Sequence, residues 1–322
     1  MKIRLNWSSA MLLSVVALLY SSVSLASSAK VSISQIIDHP DLNATHRGLI
    51  DGLKERGYED GKNLELTSQV ADGKPAQAAR IARELVSKNP HVLVGIATPS
   101  SQALVSATRT IPIVFTAVTD PVGARLVRRL ENPGRNVTGL SDLSPVHQHV
   151  ELIKQSMLDV DSIGVVYNPA ESNAVTLISI LKGAAEQHDL ALHIEPVFTV
   201  DEVEEKTRIV AKKSDVVYAM TDNTVASAID DLIQAANNQN TPVFAGTTAY
   251  VNKGAVLGAG LDYYQIGLET AEYVVAILEG EKPGKLDVKT PNRSALKVNL
   301  EALKKFRITL PSSILNQASV VQ

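Results

Sequence analysis

From Val31 onward the chain alternates short apolar runs with longer amphipathic stretches. Val31–Ile37 reads as a strand, and Asp41–Gly57 follows as a helix with Leu42, Leu49, Ile50 and Leu53 on one face. Leu64–Val70 reads as a second strand. Ala76–Lys88 is a helix whose stripe is Ala79, Ile81, Ala82, Leu85 and Val86. His91–Ile96 is continuously apolar, as expected of a strand covered on both faces. Ser100–Thr108 reads as a short helix and Ile111–Phe115 as another buried strand. The pattern then restarts. Helices are expected over Val146–Met157, Asn173–Gln187, Asp201–Lys213, Thr224–Asn237 and Tyr263–Leu278. Strands are expected over Ile163–Tyr167, Ala191–Val197, Val216–Met220, Val243–Phe244 and Gly254–Leu261.

Repeated strand–helix units with short connections predict parallel sheets with right-handed crossovers. A chain of 322 residues exceeds what one core comfortably holds, so two α/β lobes are expected. The lobes are drawn as residues 31–140 plus 263–284 and residues 141–262 plus 285–322. Hinge crossings are placed near Gly139–Asp142, Leu261–Tyr263 and Gly284–Val288.

The strand ends carry a distinct set of polar residues. Gln35 lies in the first strand, with Asp38, His39 and Pro40 after it. Thr98, Ser100 and Ser101 follow His91–Ile96, and Thr119 and Asp120 follow Ile111–Phe115. In the second half the set is Tyr167, Asn168 and Asn173, then Asp222 and Asn223, then Asp262. Capping alone explains Ser, Thr, Asp and Asn at such places, because a side-chain oxygen there accepts from an unpaired backbone N–H. Asp120–Pro121 has the form of a cap followed by Pro at the first helical position. Two sets facing each other across two lobes also suit a ligand, since open α/β sheets bind where strands end. Helix-start amides around Ser100 and Ser101 suit a carboxylate. Asp120, Asp222 and Asp262 suit an ammonium or hydroxyls.

Upstream, Lys2 and Arg4 precede an apolar Met11–Tyr20 and the small-x-small Ser24–Ala26. This is the pattern of a secretory leader cleaved near Ala26; retention as a signal anchor is the rival reading, against which the apolar run is shorter than a membrane span, and export to the periplasm is expected. The chain contains no Cys, which removes disulfides, thiolate metal sites, Cys nucleophiles and a lipoprotein anchor. A net charge of −3 without a basic tract gives no footing for nucleic acid.

The runs Ile111–Val127 and Asn132–Asp142, with Ala97–Leu104, Gly164–Val175, Thr221–Ala228 and Gly254–Pro283, resemble the ABC-transporter substrate-binding family often labelled tryptophan/tyrosine transport substrate-binding. The resemblance spans Val31 to about Val298. It implies the type I periplasmic binding fold, a small solute in the inter-lobe cleft (an amino acid, an aromatic one favoured) and delivery to an inner-membrane ABC permease. It implies no cofactor and no chemistry on the ligand. The family's motifs fall on Thr98, Pro99 and Ser100; on Thr119, Asp120 and Pro121; on Asn168, Pro169 and Asn173; on Asp222 and Asn223; and on Asp262 and Tyr263. Arg125, where a small residue such as Gly is expected, and Ala174, where Ser is common, depart from it.

Other functions find less footing. Ser179 and Lys182 match Ser-x-x-Lys without its partner motifs. His147 and His149 are spaced to point apart on a helix, and no metal site is expected. A monomeric importer receptor is the leading expectation; a receptor of the same fold for a sugar, nucleoside-like solute or amine, or one feeding a membrane sensor, stays open. The lone Trp, Trp7, lies in the leader, which leaves Phe115, Tyr167, Tyr250 and Tyr263 as candidate aromatic walls.

Overall fold

The computed structural model describes residues 28–291 and 294–321. The leader read over Met1–Ala26 lies outside the described residues. Five strands, β1 (Ala29–Gln35), β2 (Leu64–Val70), β3 (Val92–Ile96), β4 (Ile113–Val118) and β5 (Val137–Ser141), form one sheet in the order β2-β1-β3-β4-β5. Every pairing in it is parallel. Helices α1 (Pro40–Glu55), α2 (Pro75–Ser87) and α3 (Thr98–Ala107) cross over between these strands. β3 and β4 are buried along their whole length, which accounts for their unbroken apolar sequences.

The second sheet contains β6 (Ser162–Tyr167), β7 (Ala191–Pro196), β8 (Val216–Ala219), β9 (Val243–Ala245), β10 (Leu257–Leu261), β11 (Ser294–Asn299) and β12 (Ser319–Val321). Their order is β12-β11-β10-β9-β8-β6-β7, parallel except for β10 against β11. Val165, Leu177 and Tyr218 pack on one face of it, and Val166, Val217 and Leu232 on the other. Helices α4 (Val146–Ser156), α5 (Ser172–Gln187), α6 (Val203–Ala211), α7 (Asn223–Ser227) and α8 (Ile229–Asn238) cover these faces. Ala228 interrupts what the sequence presents as one helix, leaving α7 and α8 on either side.

Helix α9 (Tyr263–Leu278) returns to the first sheet and lies against α1. Gly48, Gly52 and Gly267 let the two backbones approach, and Cβ atoms added at Gly48 and Gly267 would lie close to the partner's backbone carbonyls. The chain passes between the sheets after β5 and at Leu261–Tyr263. The third passage falls later than Gly284–Val288. Val288 joins the first core, its N–H bonds Leu130 O, and Lys289 bridges to Leu140. Gly284–Lys289 therefore stays with the first sheet, held by main-chain pairing that hydropathy does not reveal.

Two further expectations change. The crossing expected near Gly139–Asp142 starts only after Ser141, because Val137–Ser141 is the edge strand β5, where Gly139 (φ 156°) faces the Phe115 carbonyl and a Cβ would clash. No helix opens at Asp120. Residues 120–127 form turns, closed by bonds such as Ala124 N–H to Asp120 O, and Arg125 takes a left-handed backbone of φ 61°. That conformation favours glycine, which accounts for the small residue expected there.

Candidate functional site

A cleft lies between the sheets, where the carboxyl ends of their strands meet, the place at which open α/β sheets hold their ligands. The first-sheet side supplies Ile37, His39, Asp41, Leu42, Ala97, Thr98, Ala117 and Thr119. Asn173, Thr221, Asp222, Asn223, Ala226 and Tyr250 come from the second-sheet side, and Asp142 and Tyr263 from two of the passages. Ala97 (φ 73°) and Ala117 (φ 52°) both hold left-handed backbones at this wall. Such strain costs about 1–3 kcal/mol per residue and gathers at functional sites.

Among the described residues three carboxylates line the cavity and no lysine or arginine does. Asp142 is buried and accepts from Tyr263 Oη at 2.9 Å and Thr119 Oγ1 at 3.3 Å; burial raises its pKa. Asp222 accepts from Asn168 N at 2.6 Å and Val225 N at 2.9 Å. Its pKa is raised by burial first and then by the neighbouring Glu171 carboxylate. Glu171 accepts from the backbone and side chains of Asn223 and Thr224 and from Asn173 Nδ2. Asp41 accepts from Thr247 Oγ1 across the cleft at 2.6 Å, and burial pushes its pKa up to about 6. Two oxygens of lining residues, Asn173 Oδ1 and Thr221 Oγ1, are buried without a hydrogen bond in the protein.

The sequence-predicted residues divide. Thr98, Thr119, Asn173, Asp222 and Asn223 line this cavity. Asn168 borders a wider groove that flanks it between the lobes. Gln35 is buried behind the wall, where Nε2 donates to Ile37 O and Asn43 Oδ1. Ser100 and Ser101 do not line the cavity; α3 begins at Thr98, and both serines are buried in its first turn. Ser101 Oγ donates to the Gly95 and Ala97 carbonyls, and Ser100 Oγ is buried without a partner. Asp120 Oδ1 accepts from Gly123 N and Oδ2 from Thr176 Oγ1, a bond between lobes outside the cavity. Tyr167 packs on the second core, Phe115 is wholly within the first, and Asp262 is exposed and caps α9 through the N–H groups of Tyr264 and Gln265. Sequence reasoning left out His39, Asp41 and Asp142 as ligand contacts. His39 and Asp41 flank Pro40 directly after the first strand, so the strand-end signal was present for them. Among the described residues no group of acids and histidines could hold a metal ion, and no helix is long and apolar enough to cross a membrane.

The burial of Asp41 yields a pH test. Its folded pKa of about 6 exceeds the ordinary 3.8, so its contribution to stability is complete below the lower value and lost as pH rises through the upper one. Two units correspond to about 3 kcal/mol at most. Asp41→Asn, which can still accept from Thr247, is expected to melt higher than the ligand-free parent at pH 7. That gain should vanish near pH 4 in melting curves; an equal gain at both pH values would contradict the assignment.

A family model described as ABC transporter substrate binding protein matches residues 30–322. The "Tyrosine-binding protein" of Clostridioides difficile (strain R20291) is 34% identical over 274 residues, covering 85% of this chain and 79% of that protein. A solved "conserved domain protein" from Vibrio cholerae O1 biovar El Tor str. N16961 is 57% identical, with a TM-score of 0.90 over 92% of this chain and 100% of that one. The "ABC domain in complex with L-Trp" from Streptococcus pneumonia is 33% identical, with a TM-score of 0.89 and the same coverages.

Proposed function

The chain belongs to the ABC transporter substrate-binding protein family, whose members hand a captured solute to a membrane permease, and on that ground we propose that its own solute is an aromatic L-amino acid such as tyrosine or tryptophan. The observation that carries this reading is the inter-lobe cavity: three carboxylates, no cation, and Tyr250 and Tyr263 as walls. Asp41, Asp142 and Asp222 hold the α-ammonium, and the aromatic ring lies against the tyrosines. The relatives' names, one for tyrosine binding and one for a complex with L-Trp, point to the same class.

Capture proceeds by closure of the lobes about the passages, which shifts an open–closed equilibrium toward the closed form. The bonds Thr247–Asp41, Thr176–Asp120 and Gln102–Ser172 reach across the cleft and belong to the closed form. The receptor works as a monomer in the periplasm after removal of its leader near Ala26, and carries out no reaction on the ligand.

The leader-free protein is expected to melt several degrees higher with L-tyrosine or L-tryptophan and not with sugars, because a ligand of the folded state alone stabilises it. Trp7 is the only tryptophan, so bound L-tryptophan can also be followed by its own fluorescence in a chain lacking the leader. A melting temperature unmoved by every aromatic amino acid would refute this reading.

A further inference from the structure

A zwitterion brings a carboxylate into this cavity, and its wall of acids repels one. Among the lining residues, His39 offers a nitrogen donor not already engaged. Asn173 Nδ2 is directed to Glu171 and Thr221 O, and one N–H of Asn223 Nδ2 to Glu171. The Tyr263 hydroxyl is donated to Asp142. His39 is the N-cap of α1, and its Nδ1 accepts from the backbone N–H of Asp41 at 3.3 Å. An accepting Nδ1 carries no proton, so the proton of the neutral ring sits on Nε2. Burial keeps the ring neutral, lowering its pKa to about 4. Nε2 is buried and makes no hydrogen bond in the protein, while the ring is held edge-on to Tyr250 with centroids 5.5 Å apart.

We propose that His39 is a specificity-determining residue, its Nε2–H donating to the α-carboxylate of the bound amino acid. This rests on the reading of the cavity as an amino-acid site. The placement favours the carboxylate over a phenol oxygen. An amino acid's ammonium and carboxylate share one carbon, so their receptors must be neighbours, and His39 Nδ1 lies 3.9 Å from Asp41 Oδ2. The first amides of α3, at Thr98 on the same wall, lack intrahelical partners and add a second source of donors. His39 thereby separates amino acids from the amines that the acids alone would also accept.

The test is calorimetry with L-tyrosine, L-tryptophan, tyramine and tryptamine on the parent, His39→Phe and His39→Gln, with folding checked by circular dichroism and melting. The Phe variant keeps the ring's packing and removes the donor; the Gln variant restores an N–H at similar reach. His39→Phe is expected to weaken both amino acids by about tenfold to a hundredfold, as for a hydrogen bond to a charged group. The amines should be unaffected, and His39→Gln should recover most of the loss. Equal losses for amino acids and amines, or no loss, would overturn the assignment. A loss for tyrosine and tyramine but not the indoles would overturn it in favour of a phenol contact. A parent that binds none of the four probes overturns the amino-acid reading itself.

Discussion

Asp222→Ala is expected to weaken binding of the aromatic amino acid by about a hundredfold, the scale of a charge-assisted hydrogen bond lost from a closed site. Asp222 is 1% exposed, on the second-sheet side of the cavity, and its carboxylate is positioned by two backbone donors, Asn168 N and Val225 N. Those bonds set its direction, and the arriving ammonium supplies the positive charge that burial beside Glu171 makes costly to lack. Asp120→Ala serves as the contrast. Asp120 touches Gly123 and Thr176 rather than the cavity, so its loss removes one inter-lobe bond from the closed form and should cost about fivefold. Calorimetry on the two variants decides. Equal affinities for Asp222→Ala and the parent would remove Asp222 from the site, and a larger loss at Asp120 would reverse the assignment.

The second large effect concerns stability. Gly-to-Ala in a helix interior ordinarily gains about 1 kcal/mol. At Gly267 the sign should reverse. A Cβ there would overlap Thr45 O and stand 2.7 Å from Leu49 N and 2.8 Å from the Gly48 Cα, all backbone of α1. No rotamer change can relieve a clash with main chain, so α9 must move off α1 and open the packing around Leu49 and Ile266. Overpacking of this kind costs about 1–3 kcal/mol, enough to outweigh the propensity gain. Gly267→Ala should therefore lower the melting temperature by several degrees. A rise would show that α9 does not press on α1 as closely as described.

The alternation of apolar runs and amphipathic stretches was enough to place most elements. Leu64–Val70 and Tyr263–Leu278 agree with the structure to the residue. Elements that depend on partners were harder to see. β5 carries Gly139 and two hydroxyl residues, and it is a strand because β4 lies beside it. The antiparallel β11 and the short α10 (Leu300–Phe306) and β12 after it lie where no helical or strand period is long enough to stand out. The turn after Asp120 has the composition of a helix start. It becomes a turn because its bonds close within 120–127 and Arg125 leaves the right-handed region.

What the sequence determined by itself is the two-sheet α/β architecture and the places where a ligand could sit. Both follow from local periodicity and from the polar residues that strand-to-helix turns require. Only the tertiary structure decided which of those residues face the ligand. The residue types that cap a helix and those that bind a solute are the same. Their roles separate when the two lobes come together, burying Asp41, Asp142 and Asp222 around one cavity while Asp262 stays in solvent as a cap. His39 shows this most sharply. Its sequence position marks a helix start, and only the packing around it leaves a buried Nε2–H without a partner in the protein.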